Sequence, residues 1–271
     1  MELVANPGML VRRLTIGREL APLLVIDDAV GNADSLVELA AGKIFSDVVT
    51  YYPGIRAKAP LSYQQFLLRQ FHGLLVDHFA LAGKTLRFTA CHFSLVTKPS
   101  AELTHLQRIP HVDSVAGDEL AFVHYLFRQD QGGTAFYRHR KTGFEFVDAA
   151  RQQQYFADIE LENIGPDKPM AEYINGDTPL YEQVARQDGV FNRLVIYRRN
   201  SLHSACIGPA FSSHPGAVLR LLDLPSCADS PPYRRRRRPI HFHVRSKVPF
   251  PWFFVDGLIP VFSETTVLQT I

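Results

Sequence analysis

A histidine and an aspartate stand two residues apart in the stretch RIPHVDS, residues 108–114, just after a proline. If the segment is extended, His111 and Asp113 point to the same face and could hold one metal ion together. Imidazole nitrogen and carboxylate oxygen suit Fe(II), and two histidines with one carboxylate leave three coordination positions open for substrates. With eleven histidines in the chain, this spacing also arises easily by chance, so the pair needs support from elsewhere in the sequence.

The second histidine of such a centre must come from a distant strand. The downstream candidates are His124, His139, His203, His214, His241 and His243. His203 has the best position, because it follows the apolar segment FNRLVIYRRN, where a buried strand would reach the open end of a sheet. Each histidine taken alone is more often an ordinary core or surface residue than a metal ligand.

Strands are the main elements that must position these residues. Hydrophobic patterns predict strands at 22–28, 86–96, 119–129, 132–140 and 191–205, with residues 142–148 as a hairpin partner of the fourth. In the second strand, alternation predicts one face with Phe88, Ala90, His92 and Ser94, and another with Cys91, Phe93 and Leu95. Helices are predicted at 33–42, from Ser62 to about residue 79, and at 177–189, whereas residues 51–60 carry turn chemistry. The predicted fold class is mainly β with flanking helices, built as a sandwich, jelly roll or barrel.

The composition narrows the functional classes. The formal net charge is +2, so bulk electrostatics indicates neither a nucleic-acid partner nor a membrane surface. Three cysteines, far apart and odd in number, favour a reducing compartment over a disulfide framework. The N-terminal residues lack the apolar core of a signal peptide, and no run reaches the length of a membrane helix. We therefore predict a cytoplasmic protein, and the oligomeric state stays open.

The sequence pattern changes near residue 222. Residues 1–222 carry the strand and helix patterns of a single domain, whereas residues 223–271 form a tail rich in proline and arginine, including five consecutive arginines. Such a run usually belongs to a solvated segment. The abrupt loss of pattern suggests the hypothesis that the tail arose by a frameshift. Codon-phase statistics of the gene before and after residue 217 would test it, and uniform statistics would remove it.

The order of three segments, HVDS, GGTAFYRHR and NRLVIYRRNSLHSA, resembles that of the iron(II)- and 2-oxoglutarate-dependent oxygenases of the prolyl-hydroxylase-like kind. The segments PLLVIDD and YYPGIRAKAP further resemble a bacterial branch of this class, and the likeness covers roughly residues 20–220. The resemblance implies a double-stranded β-helix, the cupin-like jelly roll, with Fe(II) held by His111, Asp113 and His203. It also implies 2-oxoglutarate as co-substrate, chelating the iron through its keto acid end.

The same resemblance implies further binding residues. The far carboxylate of 2-oxoglutarate would pair with an arginine on the strand after the distal histidine, because guanidinium grips a carboxylate with two parallel hydrogen bonds. Arg220 is the match, seventeen residues past His203, and Arg198 is the alternative. Tyr125 and Tyr137 lie on predicted strands and are expected to line the cofactor pocket, although ordinary sheet packing is the more frequent role of either one taken alone.

These observations predict an iron(II)- and 2-oxoglutarate-dependent dioxygenase whose substrate is a small molecule or an amino-acid side chain. The resemblance implies hydroxylation or desaturation, because related halogenating enzymes lack the carboxylate that Asp113 provides. Two alternatives remain open. One is a catalytically inactive β-helix binding module, and the other is a cupin-like metal enzyme that does not use 2-oxoglutarate. A serine hydrolase is disfavoured, since the sequence has no Gly-x-Ser-x-Gly elbow.

Overall fold

The computed structural model describes residues 2–47 and 52–207, together with the backbone of residues 218–227. Its strands are β1 (Leu10–Ile16), β2 (Ala21–Asp27), β3 (Ser46–Asp47), β4 (Gly54–Lys58), β5 (Leu86–Val96), β6 (Leu120–Tyr125), β7 (Gly132–His139), β8 (Tyr181–Asp188), β9 (Leu194–Arg198), β10 (His203–Ile207) and β11 (Val218–Cys227). Its helices are α1 (Asp34–Ala41), α2 (Leu61–His78) and α3 (Gln152–Ile164). The protein is thus mainly β with few helices, as the sequence predicts.

The strands form two antiparallel sheets. The large sheet has the order β1-β2-β9-β6-β11-β5-β4-β3, and the small sheet has the order β10-β7-β8. From β5 onward the chain crosses repeatedly between them, because β6, β9 and β11 lie in the large sheet while β7, β8 and β10 lie in the small one. An isolated antiparallel bridge between His111 and His203 extends the small sheet beyond β10.

Three hydrophobic clusters separate the layers. The first packs α1 and α2 against one face of the large sheet, with Phe71 of α2 near Phe93 of β5. The second joins α3 to the small sheet and includes Tyr155 of α3 and Tyr137 of β7. The third lies between the two sheets, where Phe136 of β7 meets strands of the large sheet. The space between the sheets is therefore an apolar interior.

Alternation along β5 follows the predicted pattern over most of its length. Cys91 and Phe93 belong to the core beneath the helices, so Ser94 and the residues two apart from it face the small sheet. Phe88 is the exception, since it packs on the helix side and meets Phe122 edge to face. The register between β5 and β11 shifts at Leu224/Pro225, and one extra residue in a strand reverses the faces beyond it.

Several predicted elements are confirmed with small changes of boundary. The strand at 86–96 is β5 with those limits, and the short helix that Gly42 ends is α1. The long apolar helix is α2, but it begins at Leu61 with Pro60 in the capping position, where Ser62 was expected to cap it. The predicted strand at 191–205 divides into β9 and β10, because residues 199–202 carry the chain from the large sheet to the small one.

The predicted helix at 177–189 is wrong, because residues 181–188 form strand β8. Strand β7 is buried along its whole length, so its backbone groups need partners on both sides. β8 supplies one set of hydrogen bonds and β10 the other. This requirement of the sheet outweighs the modest helical pattern of the segment. The real helix of this region, α3, lies earlier and was not predicted.

The predicted hairpin partner at 142–148 is also wrong. The chain turns tightly after β7, with the Gly143 amide donating to the His139 carbonyl at 2.8 Å. It then runs along the connection between β9 and β10, where the Val147 amide donates to the Asn200 carbonyl and Phe146 forms an isolated bridge with Ser201. Strand β4 was not predicted, because a turn was expected at 51–60. Strand β1 was not predicted either.

A buried polar network joins α2 to the large sheet. The amide nitrogen of Asn192 donates to the Val30 carbonyl, which leaves its side-chain oxygen to accept from the backbone amide of Val30 and from Nε2 of His124. Nδ1 of His124 then accepts the hydroxyl of Tyr63 at 2.9 Å. This pattern requires a neutral imidazole with its hydrogen on Nε2.

We expect this histidine to make stability depend on pH. Burial lowers the pKa of His124 from 6.5 to about 4, against a smaller opposing effect of the Asn192 hydrogen bond. Above pH 6.5 the ring is neutral in both states. As the pH falls towards 4, only the unfolded chain takes up the proton, so the free energy of unfolding decreases.

The expected loss from His124 between pH 7 and pH 4.5 is about 2–3 kcal/mol. Urea unfolding of the wild type and of His124→Gln at both pH values measures it. The variant is expected to be less stable at pH 7 but to lose less on acidification. An equal loss in both proteins would show that His124 is not the group that titrates.

Among the described residues, no helix is long and apolar enough to cross a bilayer.

Candidate metal centre

The structure brings together the three residues that the sequence singles out. His111, Asp113 and His203 each offer a ligand atom, and these atoms all lie within 4.8 Å of one another. Nε2 of His111 is 3.6 Å from one oxygen of Asp113, and Nε2 of His203 is 3.5 Å from the other. One carboxylate therefore stands between two imidazoles, as a shared metal ion would require.

A backbone pairing holds the two histidines side by side. The His111 amide donates to the His203 carbonyl at 2.9 Å, and the His203 amide returns a bond to the His111 carbonyl at 3.0 Å. Two residues that exchange both bonds carry their side chains on the same face. The rings consequently lie with centroids 4.4 Å apart, although 92 residues separate them in the chain.

A hydrogen bond to the backbone fixes the orientation of the His203 ring. Its Nδ1 donates to the carbonyl of Ser201 at 2.9 Å, which leaves Nε2 with its lone pair towards Asp113. The ring also packs against Tyr197 of the large sheet, with centroids 4.7 Å apart. Tyr197 belongs to the cluster between the sheets, so the histidine cluster opens into that interior.

Arg199 fixes the position of Asp113 through the backbone. Its Nη2 donates to the Asp113 carbonyl at 3.0 Å, and the Asp113 amide donates to the Arg199 carbonyl at 2.9 Å. Nη1 of Arg199 pairs with Glu119 at 2.6 Å, so Glu119 offsets the charge of this arginine. The sequence gives no sign of this role, because an arginine side chain that binds a backbone carbonyl far away in the chain leaves no pattern of residue types.

The pKa shifts in the cluster favour the protonation states that bind a cation. Burial lowers the pKa of His111 to about 4, and the neighbouring His203 and Arg56 act in the same direction. Burial raises the pKa of Asp113, but His203, His111, Arg199 and Arg56 together outweigh that effect and lower it. At neutral pH the cluster therefore offers a neutral imidazole at His111 and an ionised carboxylate, the protonation states that metal binding needs.

Arg56 is the functional candidate that the sequence reasoning missed. It lies on β4, is only 4% exposed and has its guanidinium 4.0 Å from the centre of the Tyr52 ring. Its positive charge lowers the pKa of both His111 and Asp113. The available signal was the alternation of Ile55 and Ala57 with Arg56 and Lys58, which a turn prediction concealed.

The two predicted tyrosines lie in different layers. Tyr125 lies between the sheets, fully buried, and its hydroxyl is 2.6 Å from that of Thr134. Tyr137 belongs to the cluster under α3, where its hydroxyl lies 4.0 Å from the sulfur of Cys206. The structure thus brings Tyr125 to the interior onto which the cluster opens and places Tyr137 on the other side of the small sheet.

Neither of the two arginines predicted to bind 2-oxoglutarate has a described side-chain contact with the cluster. Arg220 lies on β11, where its backbone pairs with Ser94 of β5 and Tyr125 of β6, but its side chain lies outside the described residues. Arg198 donates to the backbone carbonyls of Phe79 and Gly117 and therefore supports the helix side of the sheet.

The remaining candidate histidines do not join the cluster. His124 belongs to the network with Tyr63, and His139 contacts Glu162 at 2.9 Å. His214, His241 and His243 lie outside the described residues.

The class that the fold and the site define is a mainly antiparallel β-protein with a His–Asp–His cluster whose donor atoms could hold a metal ion. Residues 7–217 match the family described as "Family of unknown function (DUF6445)", and the chain belongs to that family. No curated protein matches the sequence.

One similar solved structure is that of HygX from Streptomyces hygroscopicus with nickel and 2-oxoglutarate bound. The sequences are 10% identical, the TM-score is 0.43, and the likeness covers 76% of this chain and 83% of the HygX chain.

Proposed function

We propose that the protein is an iron(II)- and 2-oxoglutarate-dependent dioxygenase, acting as a hydroxylase on a small molecule or an amino-acid side chain. The observation that carries the proposal is the cluster of His111, Asp113 and His203, with ligand atoms within 4.8 Å. Two imidazoles and one carboxylate form the donor set of iron oxygenases that leave positions open for substrates. The order of the surrounding segments resembles that of this oxygenase class as well.

The proposed architecture is a double-stranded β-helix. Its support is the way the chain alternates between the sheets from β5 to β11. In such a fold the residues at 111–113 and the start of β10 meet at one end of the small sheet, as the bridge between His111 and His203 makes them do here. The metal ligands would then lie at the mouth of the roll, with the apolar interior behind them.

The donor atoms of the cluster are of the kinds that bind iron(II). Nε2 of His111, Nε2 of His203 and the carboxylate of Asp113 would hold the ion, and Arg199 would keep Asp113 in place through its backbone. Iron(II) with 2-oxoglutarate would supply the oxidising chemistry that activates O2. The apolar walls around Tyr197 and Phe136 would exclude water from the reacting groups.

We place the proposed enzyme in the cytoplasm. Cys91 and Cys206 are buried free thiols, which is the ordinary state in a reducing compartment.

Anaerobic titration of the iron(II)-loaded protein with 2-oxoglutarate tests this function. The expected result is the weak visible charge-transfer band of a chelated keto acid. The band should be lost in His203→Ala and weakened in Arg220→Ala. Iron binding without any band would favour the cupin-like alternative, and no iron binding would favour the inactive binding module.

A further inference from the structure

Helix α3 is bound to the small sheet by a buried polar cluster that the proposed metal centre does not use. Nε2 of His139, a fully buried residue of β7, lies 2.9 and 3.0 Å from the two carboxylate oxygens of Glu162 on α3. Nδ1 of the same ring is 2.9 Å from the hydroxyl of Thr142. Tyr155 of α3 meets the ring edge-on, and its hydroxyl lies 3.2 Å from that of Tyr181 on β8. We call these five residues the His139 cluster.

The attachment of α3 depends on the His139 cluster. The helix has thirteen residues, of which only Tyr155 and Ile159 are buried, and an isolated helix of that length is marginally stable. A carboxylate accepts a hydrogen bond from an imidazole more strongly than a neutral group does. Conversely, a buried donor that loses its acceptor costs free energy. Removing the carboxylate of Glu162 is therefore expected to loosen α3 from the small sheet.

The same helix contacts the segment that carries two of the proposed metal ligands. The hydroxyl of Tyr155 donates to the carbonyl of Pro110 at 3.4 Å, immediately before the first ligand. Ile109 and Val112 belong to the hydrophobic cluster that includes Tyr155. Residues 109–113, which we call the ligand segment, therefore pack against α3 on one side.

The ligand segment belongs to no strand or helix of the described chain. It joins the small sheet through the isolated bridge between His111 and His203. The Asp113 amide adds a bond to the Arg199 carbonyl at 2.9 Å. A segment with so little regular pairing can shift when its packing changes. The position of its two ligand side chains therefore depends on where α3 lies.

We propose that the bond between His139 and Glu162 holds α3 on the small sheet and that α3, in turn, positions the ligand segment for metal binding. Glu162 is then a positioning residue, because it acts through α3 and not on the metal itself. Coupling between two sites is reciprocal, so a bound ion also holds α3 in its docked position. This inference rests on the function proposed above and gives its metal centre a means of regulation, since any event that releases α3 weakens metal binding.

Hydrogen exchange of the metal-free protein, followed by mass spectrometry, tests the positioning step. Glu162→Ala should speed exchange of the amides of α3 and of the ligand segment by about 10-fold or more. Glu162→Gln retains an oxygen that accepts from the His139 ring, so it should keep most of the protection. Asp158→Asn is the matched control on the same helix. It removes a charge from the pair with Lys141, whose side chain is 52% exposed, and should leave the ligand segment unchanged.

Mn(II) binding, measured by electron paramagnetic resonance, tests the effect on the metal. Glu162→Ala should weaken the affinity by about 10- to 100-fold, the range for groups that orient metal ligands, and Glu162→Gln by less. In the wild type, Mn(II) should slow exchange of the α3 amides. His124→Gln controls for a general loss of stability, because it removes a buried contact on the α2 side of the large sheet. It should bind Mn(II) as the wild type does.

Three results would overturn the inference. The first is faster exchange of α3 in Glu162→Ala with an unchanged ligand segment and unchanged Mn(II) affinity. The second is an equal loss of Mn(II) affinity in His124→Gln, and the third is exchange of α3 that does not respond to Mn(II).

Two further outcomes are also decisive. If Glu162→Ala does not fold, Tyr155→Phe takes its place, because it removes only the hydroxyl that donates to Pro110. An unchanged ligand segment in that variant would contradict the inference. If the wild type binds no Mn(II), the proposed function fails, and exchange of the metal-free proteins alone decides whether α3 positions the ligand segment.

Discussion

Replacing His203 with alanine is expected to weaken Mn(II) binding by more than about 100-fold, because outer partners of metal ligands alone are worth 10–100-fold. His203 offers one of the three donor atoms that could hold the ion, and its Nδ1 bond to Ser201 fixes the ring in the orientation that exposes Nε2. His111 and Asp113 cannot replace it, because each offers one donor atom of its own to the same cluster. Electron paramagnetic resonance of free Mn(II) in a titration measures the affinity.

A matched control distinguishes a ligand from a histidine of any kind. His72 is exposed on α2, and His72→Ala should bind Mn(II) as the wild type does. His203 is buried, so thermal unfolding must accompany the measurement. Equal Mn(II) affinity in folded His203→Ala and in the wild type would remove this residue from the centre.

Replacing Glu145 with alanine is expected to lower the free energy of unfolding by about 3–5 kcal/mol, because the buried guanidinium of Arg138 loses its buried partner. Glu145 is 5% exposed and accepts both Nε and Nη2 of Arg138. It also accepts the backbone amides of Arg18 and Glu19 at 2.9 Å each. One carboxylate therefore ties the turn between β1 and β2 to strand β7, and urea unfolding measures its contribution.

Glu182 provides the control for this ion pair. It contacts the same arginine at 2.6 Å, but its side chain is 35% exposed. Glu182→Ala should therefore cost at most about 1 kcal/mol, as partly solvated pairs do. Equal losses in the two variants would show that burial does not decide the strength of these contacts.

Local pattern was sufficient for the elements that carry a strong hydrophobic period. The apolar residues of α2 and the alternation of β5 predict both elements, because each buries one face against the same core. His203 was expected just past the end of an apolar strand, and the structure places it at the first residue of the next strand, β10. These inferences depend on contacts between near neighbours in the chain, which the sequence displays directly.

The other features depend on partners far away in the chain. β8 is a strand because β7 needs a partner, and α3 was missed because its buried residues, Tyr155 and Ile159, make a weak apolar face. Arg56 was missed because Pro53 and Gly54 favoured a turn, and five residues of β4 alternate too briefly to outweigh them. The pairing of Arg56 with Ser94 becomes visible only when β4 and β5 lie side by side.

A crystal structure of the protein with Mn(II) and 2-oxoglutarate, grown without oxygen, tests the central claim most directly. We predict one ion bound by His111, Asp113 and His203, with the keto acid chelated to it and the ligand between the two sheets. An ion held elsewhere, or a cluster that stays without metal at saturating Mn(II), would contradict it.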